Sequence, residues 1–140
     1  MRKILLSVDG SEHSDRAAQF VANFVKEHGP AEIHLVNVEP KPVPYQTRGM
    51  EEEAIHAHLK SLCLQTMKSA QDILKSAGVP CHTHAKIGET ADEVVALADK
   101  LGCDAIVIGT RGLGAVSGIA LGSVTRKVLH LTHLPVICVK

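Results

Sequence analysis

Apolar positions along this chain of 140 residues fall into short runs of strand length, separated by longer stretches of helical period. Five runs, either rich in Val, Ile and Leu or alternating in polarity, predict β-strands at residues 3–9, 32–38, 81–87, 104–109 and 135–140. The longer stretches predict four helices: one following Ser11, one over about 50–77, one following Thr90, and one beginning near Gly122 or Ser123. Strands and helices therefore alternate from one end of the chain to the other.

Residues typical of helix ends mark the boundaries of these predicted helices. Ser11 is expected to cap the first helix, and Thr90, with Glu93 three residues later, predicts a capping box for the third. Glycines are expected to end the first three helices, at Gly29, Gly78 and Gly102. The proline-rich stretch 39–49 between the second strand and the second helix is predicted to be an irregular loop.

This order of elements predicts an α/β fold, a three-layer sandwich formed by a single domain over residues 1–140. Its sheet is expected to be five-stranded and mainly parallel, in the order 3-2-1-4-5, with helices on both faces. The composition agrees, because 45% of the residues are hydrophobic and only 2% aromatic, and aliphatic side chains dominate parallel strands that are covered on both faces. Residues 81–87 alternate in polarity and are placed at an edge.

Charge and cysteine content limit the partners of the chain. Fifteen basic and fifteen acidic residues cancel, which argues against a nucleic-acid partner. The apolar run near the start is too short for a signal peptide or a membrane span, so we expect a cytoplasmic protein with no membrane partner. The four cysteines lack metal or redox spacing and are interpreted as small hydrophobic residues.

A glycine-rich stretch, "GTRGLGAVSGIALGSV", joins the fourth strand to the last helix over residues 109–124. Gly109, Gly112 and Gly122 let the backbone approach a ligand, and Ser123 opens a helix whose N-terminal amides favour a bound phosphate. The loops after the first, second and fourth strands should meet at the carboxyl edge of the sheet. We therefore expect one phosphate-binding pocket there.

The stretch matches G-x2-G-x9-G-[ST], and the whole chain resembles the nucleotide-binding members of the universal stress protein family, from "ILLSVDGSEHS" to "LGSVTRKVLHLTHLPVICVK". The resemblance implies that Asp9 contacts the adenosine end of a nucleotide and that the Val38 backbone meets adenine. It also implies a set of residues around the ribose and phosphates: Gly109, Gly112, Gly122, Ser123, Val124 and Thr125. Two further glycines, Gly114 and Gly118, lie in the spacer and have no assigned contact.

By this resemblance the chain is expected to bind ATP or another adenine nucleotide, with or without Mg or Mn, and to act as a stress-response signalling or interaction module. Asp9, Arg111, Ser117, Ser123 and Thr125 offer binding groups but no recognisable hydrolytic set, so no enzyme activity beyond slow ATP hydrolysis is expected. The resemblance also implies a homodimer paired through the edge strand Pro135 to Lys140, with any other protein partner unidentified. The alternatives are a dimeric scaffold that binds no nucleotide, or a slow ATPase.

Nine histidines are the remaining candidates for chemistry. His82 and His84 should share a face of the edge strand, and His130 and His133 a helix face, both at spacings that can chelate a metal. Neither pair has a third ligand at suitable spacing, so no metal site is predicted and the four are interpreted as surface histidines.

Overall fold

The computed structural model of the protein describes residues 1–112 and 121–140. Strands and helices alternate along these residues as their apolar spacing predicts. In chain order they are β1 (Lys3–Ser7), α1 (Glu12–His28), β2 (Glu32–Glu39), α2 (Glu52–Ser76), β3 (Cys81–Ile87), α3 (Thr90–Leu101), β4 (Ala105–Gly109), α4 (Ser123–Leu131) and β5 (Val136–Val139).

The five strands form one sheet in the order β3-β2-β1-β4-β5. Every neighbouring pair is parallel, and Leu5 of the central β1 lies opposite His34 of β2 on one side and Ile106 of β4 on the other. This confirms the predicted strand order, with the alternating β3 at an edge and the most apolar strands at the centre.

Two hydrophobic clusters cover the two faces of the sheet. On one face, β1 residues such as Ile4 and Leu6 pack with residues of α1 and α2, including Met67. On the other face, Leu5 and Ile106 pack with residues of α3 and with Val128 of α4. Because β1 leads to a helix on the first face and the adjacent β4 to a helix on the second, a crevice opens at their carboxyl ends.

The ends of the helices agree with some of the predicted caps. Ser11 is the N-cap of α1, its side chain accepting a hydrogen bond from Ser14 N–H, and Gly29 and Gly102 follow α1 and α3 with positive φ angles of 95° and 67°. The predicted Thr90 cap is wrong, because Thr90 is the first helical residue and Glu89, whose side chain makes no cap bond, is the N-cap.

The proline-rich loop is more regular than its composition predicts. Residues Pro44–Thr47 form a short 3₁₀ helix. Pro44 is its first residue, where the missing N–H of proline leaves no intrahelical bond unmade. The prediction of a wholly irregular segment is therefore wrong at these four residues.

The four cysteines are free thiols, with Cys63 and Cys103 buried and Cys81 and Cys138 half-buried. Burial raises the pKa of all four thiols. They are therefore protonated side chains that pack with the core. Among the described residues no helix has the length and apolar character needed to cross a membrane.

Candidate functional site

A cleft of about 340 Å³ opens at the carboxyl ends of β1, β2 and β4, where the α/β topology favours ligand sites. Its volume falls in the range typical of small-molecule pockets. All eight residues singled out from the sequence line this one cleft: Asp9, Val38, Gly109, Gly112, Gly122, Ser123, Val124 and Thr125. The chain thus brings together four segments that are distant in sequence.

The loop after β1 holds Asp9 by local hydrogen bonds. Its Oδ1 accepts from Ser11 N–H at 3.0 Å and from the Ser14 hydroxyl at 2.9 Å, while the Asp9 N–H donates to Ser14 Oγ. The bond to an N–H two residues ahead is the usual contact of an Asx turn. Asp9 is therefore both a turn residue and a wall of the cleft, and its carboxylate is preorganised by the start of α1.

Two hydrogen bonds fix the start of α4 against the end of β4. Gly122 N–H donates to the Thr110 carbonyl at 2.7 Å, and the buried Thr125 hydroxyl donates to the Gly109 carbonyl at 2.8 Å. The Thr125 hydroxyl, one of the binding groups that the sequence offers, therefore donates its hydrogen within the chain.

The N-terminus of α4 leaves backbone donors at the cleft. The first intrahelical bond runs from Arg126 N–H to the Gly122 carbonyl, and the N-cap Gly122 has no side chain to offer a cap bond. The N–H groups of Ser123, Val124 and Thr125 consequently have no partner within the helix, and all three residues line the cleft. Together with the helix dipole, such donors favour an anion.

The glycines of the motif differ in what surrounds them. A Cβ on Gly109 would lie 2.7 Å from His13 Cβ, and a Cβ on Gly112 would overlap Asp9 Oδ2. Among the described residues a Cβ on Gly122 would meet only ordinary contacts, the nearest being Arg111 Cα at 3.4 Å. Packing within these residues thus accounts for the first two glycines, whereas no contact among them requires Gly122.

At the β2 side of the cleft, Val38 and Asn37 are both buried. Asn37 Nδ2 donates to the Val8 carbonyl at 2.8 Å. Asn37 Oδ1 is buried and has no hydrogen-bond partner among the described residues. Val8, whose N–H donates to the Val36 carbonyl of β2 at 3.0 Å, adds an apolar side chain to this part of the wall, which suits the flat, weakly polar surface of a base.

Two cations, Arg111 and Arg126, also line the cleft. Neither makes an ion pair within residues 1–112 and 121–140. Both residues therefore add positive charge to the lining of the cleft.

Sequence reasoning did not identify eight of the lining residues as part of the site: Ser7, Val8, Ser14, Asn37, Thr90, Ile108, Leu121 and Arg126. Ser14 and Thr90 are the first or early residues of helices that start at the carboxyl edge of the sheet, a position that could have indicated them. The spacer residues Gly114, Ser117 and Gly118 lie outside the described residues.

A histidine cluster occupies the β2–β3 edge, away from the cleft. His34 Nε2 lies 2.6 Å from Glu32 Oε1, and His34 Nδ1 lies 2.8 Å from His84 Nε2, while the His34 ring stacks on His82 with centroids 5.0 Å apart. The hydrogen bond from His34 lowers the pKa of the Glu32 carboxyl. Burial, followed by the nearby His34, lowers the pKa of His84.

Of the two histidine pairs predicted to share a face, one lies where it was expected and the other does not. His82 and His84 lie on edge strand β3, as expected. His130 and His133 do not share a helix face, because α4 ends at Leu131 and Thr132 is its C-cap. In the part of the chain that the structure describes, no group of three His, Cys, Asp or Glu side chains is placed to hold a metal ion.

Comparison with known proteins extends over the whole chain. A model of the universal stress protein family matches residues 1–140. The chain is 34% identical over 140 residues to universal stress protein MJ0531 of Methanocaldococcus jannaschii, and this match covers 99% of the chain and 82% of that relative.

Solved structures agree in fold. The protein MJ0577 superposes with a TM-score of 0.84 at 28% identity, covering 99% of this chain and 95% of that one. A universal stress protein from Archaeoglobus fulgidus, solved in complex with dAMP, superposes with a TM-score of 0.70 at 28% identity, covering 100% and 98% of the two chains.

Proposed function

The chain belongs to the universal stress protein family, and we propose that it binds ATP, or another adenine nucleotide, in the cleft between β1 and β4. We further propose that the protein acts as a signalling or interaction module of the stress response, and that the nucleotide bound in this cleft controls that role. The A. fulgidus universal stress protein solved with dAMP supports an adenine nucleotide as the ligand class.

The observation that carries this proposal is the start of α4. Three backbone N–H groups without intrahelical partners, at Ser123, Val124 and Thr125, line the cleft, with Arg111 and Arg126 beside them. Donors and positive charge in this arrangement fit the phosphates of a nucleotide. Gly122, which no packing contact within the described residues requires, leaves the backbone accessible there.

The opposite end of the cleft fits the nucleoside. Apolar walls at Val8 and Val38 suit the base, and Asp9, which follows β1 between β2 and β4, suits a ribose hydroxyl. The polar and apolar parts of the cleft therefore follow the order of base, sugar and phosphate along a nucleotide.

We propose that ATP hydrolysis is slow or absent. A phosphoryl-transfer site needs a positioned water or base and a metal carboxylate near the γ-phosphate. In the described residues Asp9 is the carboxylate lining the cleft, and its Oδ1 already accepts from Ser11 N–H and the Ser14 hydroxyl. Binding is therefore better supported than turnover, and Mg or Mn would enter as a companion of the nucleotide.

We also propose a homodimer through the edge strand, over Pro135 to Lys140. Among the described strands β5 pairs with β4 on one side only, so its outer edge is open to a second copy. Light scattering at micromolar concentration should give a mass of twice 14.9 kDa. A mass of 14.9 kDa would contradict the dimer without affecting the nucleotide proposal.

Isothermal titration calorimetry with ATP tests the proposed binding. The natural chain should give saturable heat at one nucleotide per chain, and Gly122→Ala should weaken binding about tenfold or more, equivalent to about 1.4 kcal/mol, because a methyl group then projects where the phosphates are proposed to lie. The variant should unfold at a similar urea concentration to the natural chain, since its Cβ meets only ordinary contacts in residues 1–112 and 121–140.

Absence of heat with ATP, ADP and AMP up to about 1 mM would contradict the proposal, because a millimolar Kd would still be visible at that concentration. That result would favour the alternative of a dimeric scaffold that binds no nucleotide.

A further inference from the structure

The outer edge of β3 is an open side of the sheet. β3 is an end strand, and among the described strands it pairs only with β2. That pairing runs without a bulge over all seven residues, Cys81–Ile87, and none of them is a proline. Bulges and prolines are common ways of blocking an exposed strand edge, so β3 offers an uninterrupted edge to another chain.

The backbone groups at this edge are identified by a neighbouring bond. Gly88 N–H donates to the Glu39 carbonyl of β2 at 2.9 Å. Because successive residues of a strand direct their N–H and C=O groups to opposite sides, the even-numbered residues of β3 bond to β2. The odd-numbered residues face outward: Cys81, Thr83, Ala85 and Ile87. In the part of the chain that the structure describes, no turn, loop or inter-strand bond uses these outward groups.

Beside this edge, α2 leaves a groove of about 590 Å³ that reaches the first residue of β3. The wall on α2 is a row of residues at the spacing of one helix face: Lys68, Gln71, Asp72 and Lys75. Buried Val79 and half-buried Cys81 add apolar surface on the other side. The groove therefore gives room to the side chains of an extended segment bonded to the start of β3.

The charges around the groove indicate the kind of segment that fits. Lys68 pairs with Asp72 at 3.1 Å, whereas Lys75 and Lys86 make no ion pair within residues 1–112 and 121–140. The groove and β3 thus carry three lysines against one aspartate. Acidic side chains complement this surface, whereas β3 of a second copy would bring the same lysines against it.

We propose that the outer edge of β3, together with the groove along α2, binds an extended acidic segment of a partner protein as a sixth strand of the sheet. Main-chain bonds to the outward groups of β3 supply most of the affinity, and an acidic side chain of the segment pairs with Lys75. The site lies at the edge opposite β5 and outside the cleft, so this inference goes beyond the proposed nucleotide binding and does not rest on it.

A ¹H–¹⁵N NMR titration of the natural chain with the blocked peptide acetyl-GTEVTEVTG-amide tests this surface. Because strand addition relies on main-chain bonds, this acidic strand should bind with a Kd of about 1 mM or tighter and shift the amides of Thr83, Ala85 and Ile87. The same peptide with lysine in place of glutamate should bind at least about twofold more weakly. Absence of β3 shifts at about 5 mM acidic peptide, or equal binding of the two peptides, would overturn the proposal.

A charge reversal in the groove tests the proposed contact with Lys75. Lys75→Glu should weaken binding of the acidic peptide about threefold and strengthen binding of the lysine peptide to a similar extent. Lys60→Glu, the same change at an exposed position of α2 outside the groove, should leave both affinities unchanged. Equal effects of the two substitutions would overturn the role of Lys75.

A proline substitution tests the strand addition itself. Thr83→Pro removes an outward donor of β3 but no bond to β2, so it should weaken binding of both peptides at least about tenfold. A folded Thr83→Pro protein that binds the acidic peptide as tightly as the natural chain would overturn strand addition. If Thr83→Pro does not fold, the peptide shifts at β3 and the comparison of Lys75→Glu with Lys60→Glu decide the proposal, because both lysines are exposed.

Discussion

A Cβ atom on Gly109 would lie 2.7 Å from His13 Cβ and 3.0 Å from the His13 carbonyl carbon. Both atoms belong to α1, which packs too closely on the end of β4 to accommodate a methyl group. The Gly109 carbonyl also accepts a hydrogen bond from the Thr125 hydroxyl of α4, so Gly109 contacts both α1 and α4. At the residue scale, a glycine of the G-x2-G-x9-G-[ST] pattern is thus a packing residue as well.

Gly109→Ala is therefore expected to lower the free energy of unfolding by about 1–3 kcal/mol, as overpacking of a tight contact does. Urea denaturation followed by circular dichroism measures the loss. Gly122→Ala is the matched control, because its Cβ would have no neighbour closer than 3.4 Å among the residues that the structure describes, and its free energy of unfolding should change by less than about 0.5 kcal/mol. Equal stability of both variants would refute the distinction.

The sequence predicted which segments line the cleft. It could not show which of their glycines pack against the rest of the chain and which leave room for a ligand. The spacing of Gly109, Gly112 and Gly122 is visible along the chain, whereas the contact of Gly109 with His13 exists only once α1 is packed on β4. Asn37 was missed for a similar reason. It lies in an apolar strand, and only the folded arrangement pairs one end of its amide and leaves the other unpaired.

At the scale of elements, a cluster of ionisable side chains joins β2 to the edge strand β3. The Glu32 carboxylate accepts from His34 Nε2, which leaves His34 Nδ1 as an acceptor for the His84 Nε2–H. A proton added to His84 places a positive charge on a half-buried ring beside His34, and burial disfavours the charged form of this ring.

The free energy of unfolding should therefore depend on the protonation of this cluster and fall at acid pH. Because the pKa of His84 is lowered below its ordinary value of 6.5, the unfolded chain takes up a proton at a higher pH than the folded chain. The stabilisation that comes from neutral His84 is fully present above about pH 6.5, and it is lost as the pH falls towards the pKa of His84 in the folded state. Urea denaturation should therefore show a lower free energy of unfolding at pH 5.5 than at pH 7.5.

His84→Gln supplies the comparison, since a glutamine amide can donate to His34 Nδ1 and does not titrate. Its unfolding free energy should fall less between the two pH values than that of the natural chain. His58→Gln, on the exposed side of α2, should retain the full dependence. The same pH dependence in all three proteins would show that the histidine cluster is not its source.

The ends of the helices are predicted less accurately from the sequence than their existence and order. Ser11, Gly29 and Gly102 occupy helix ends as predicted, because capping and positive φ depend mainly on the residue itself. The helix α3 starts one residue earlier than predicted, so Thr90 is its first residue and not its cap, and α4 ends at Leu131, so His133 does not share a helix face with His130. Local propensity does not fix those ends, since the neighbouring strands decide where the chain must turn.

At the scale of the whole molecule, the parallel sheet creates the site. The helices that follow β1 and β4 pack on opposite faces of the sheet, and the cleft opens between these two strands. The carboxyl ends of β1, β2 and β4 form its walls. The strand order could be predicted because alternating strands and helices permit few right-handed windings. Binding of a nucleotide here would connect α4, β1 and β2, so occupancy is well placed to change the surface that a partner meets.

The most direct test of nucleotide binding in this cleft is a ¹H–¹⁵N NMR titration of the natural chain with ATP. The account predicts saturable shifts of the backbone amides of Ser123, Val124 and Thr125, where the phosphates are proposed to bind, together with Val38 at the base end. An unchanged spectrum, or shifts confined to residues away from the cleft such as the histidines of β3, would contradict it.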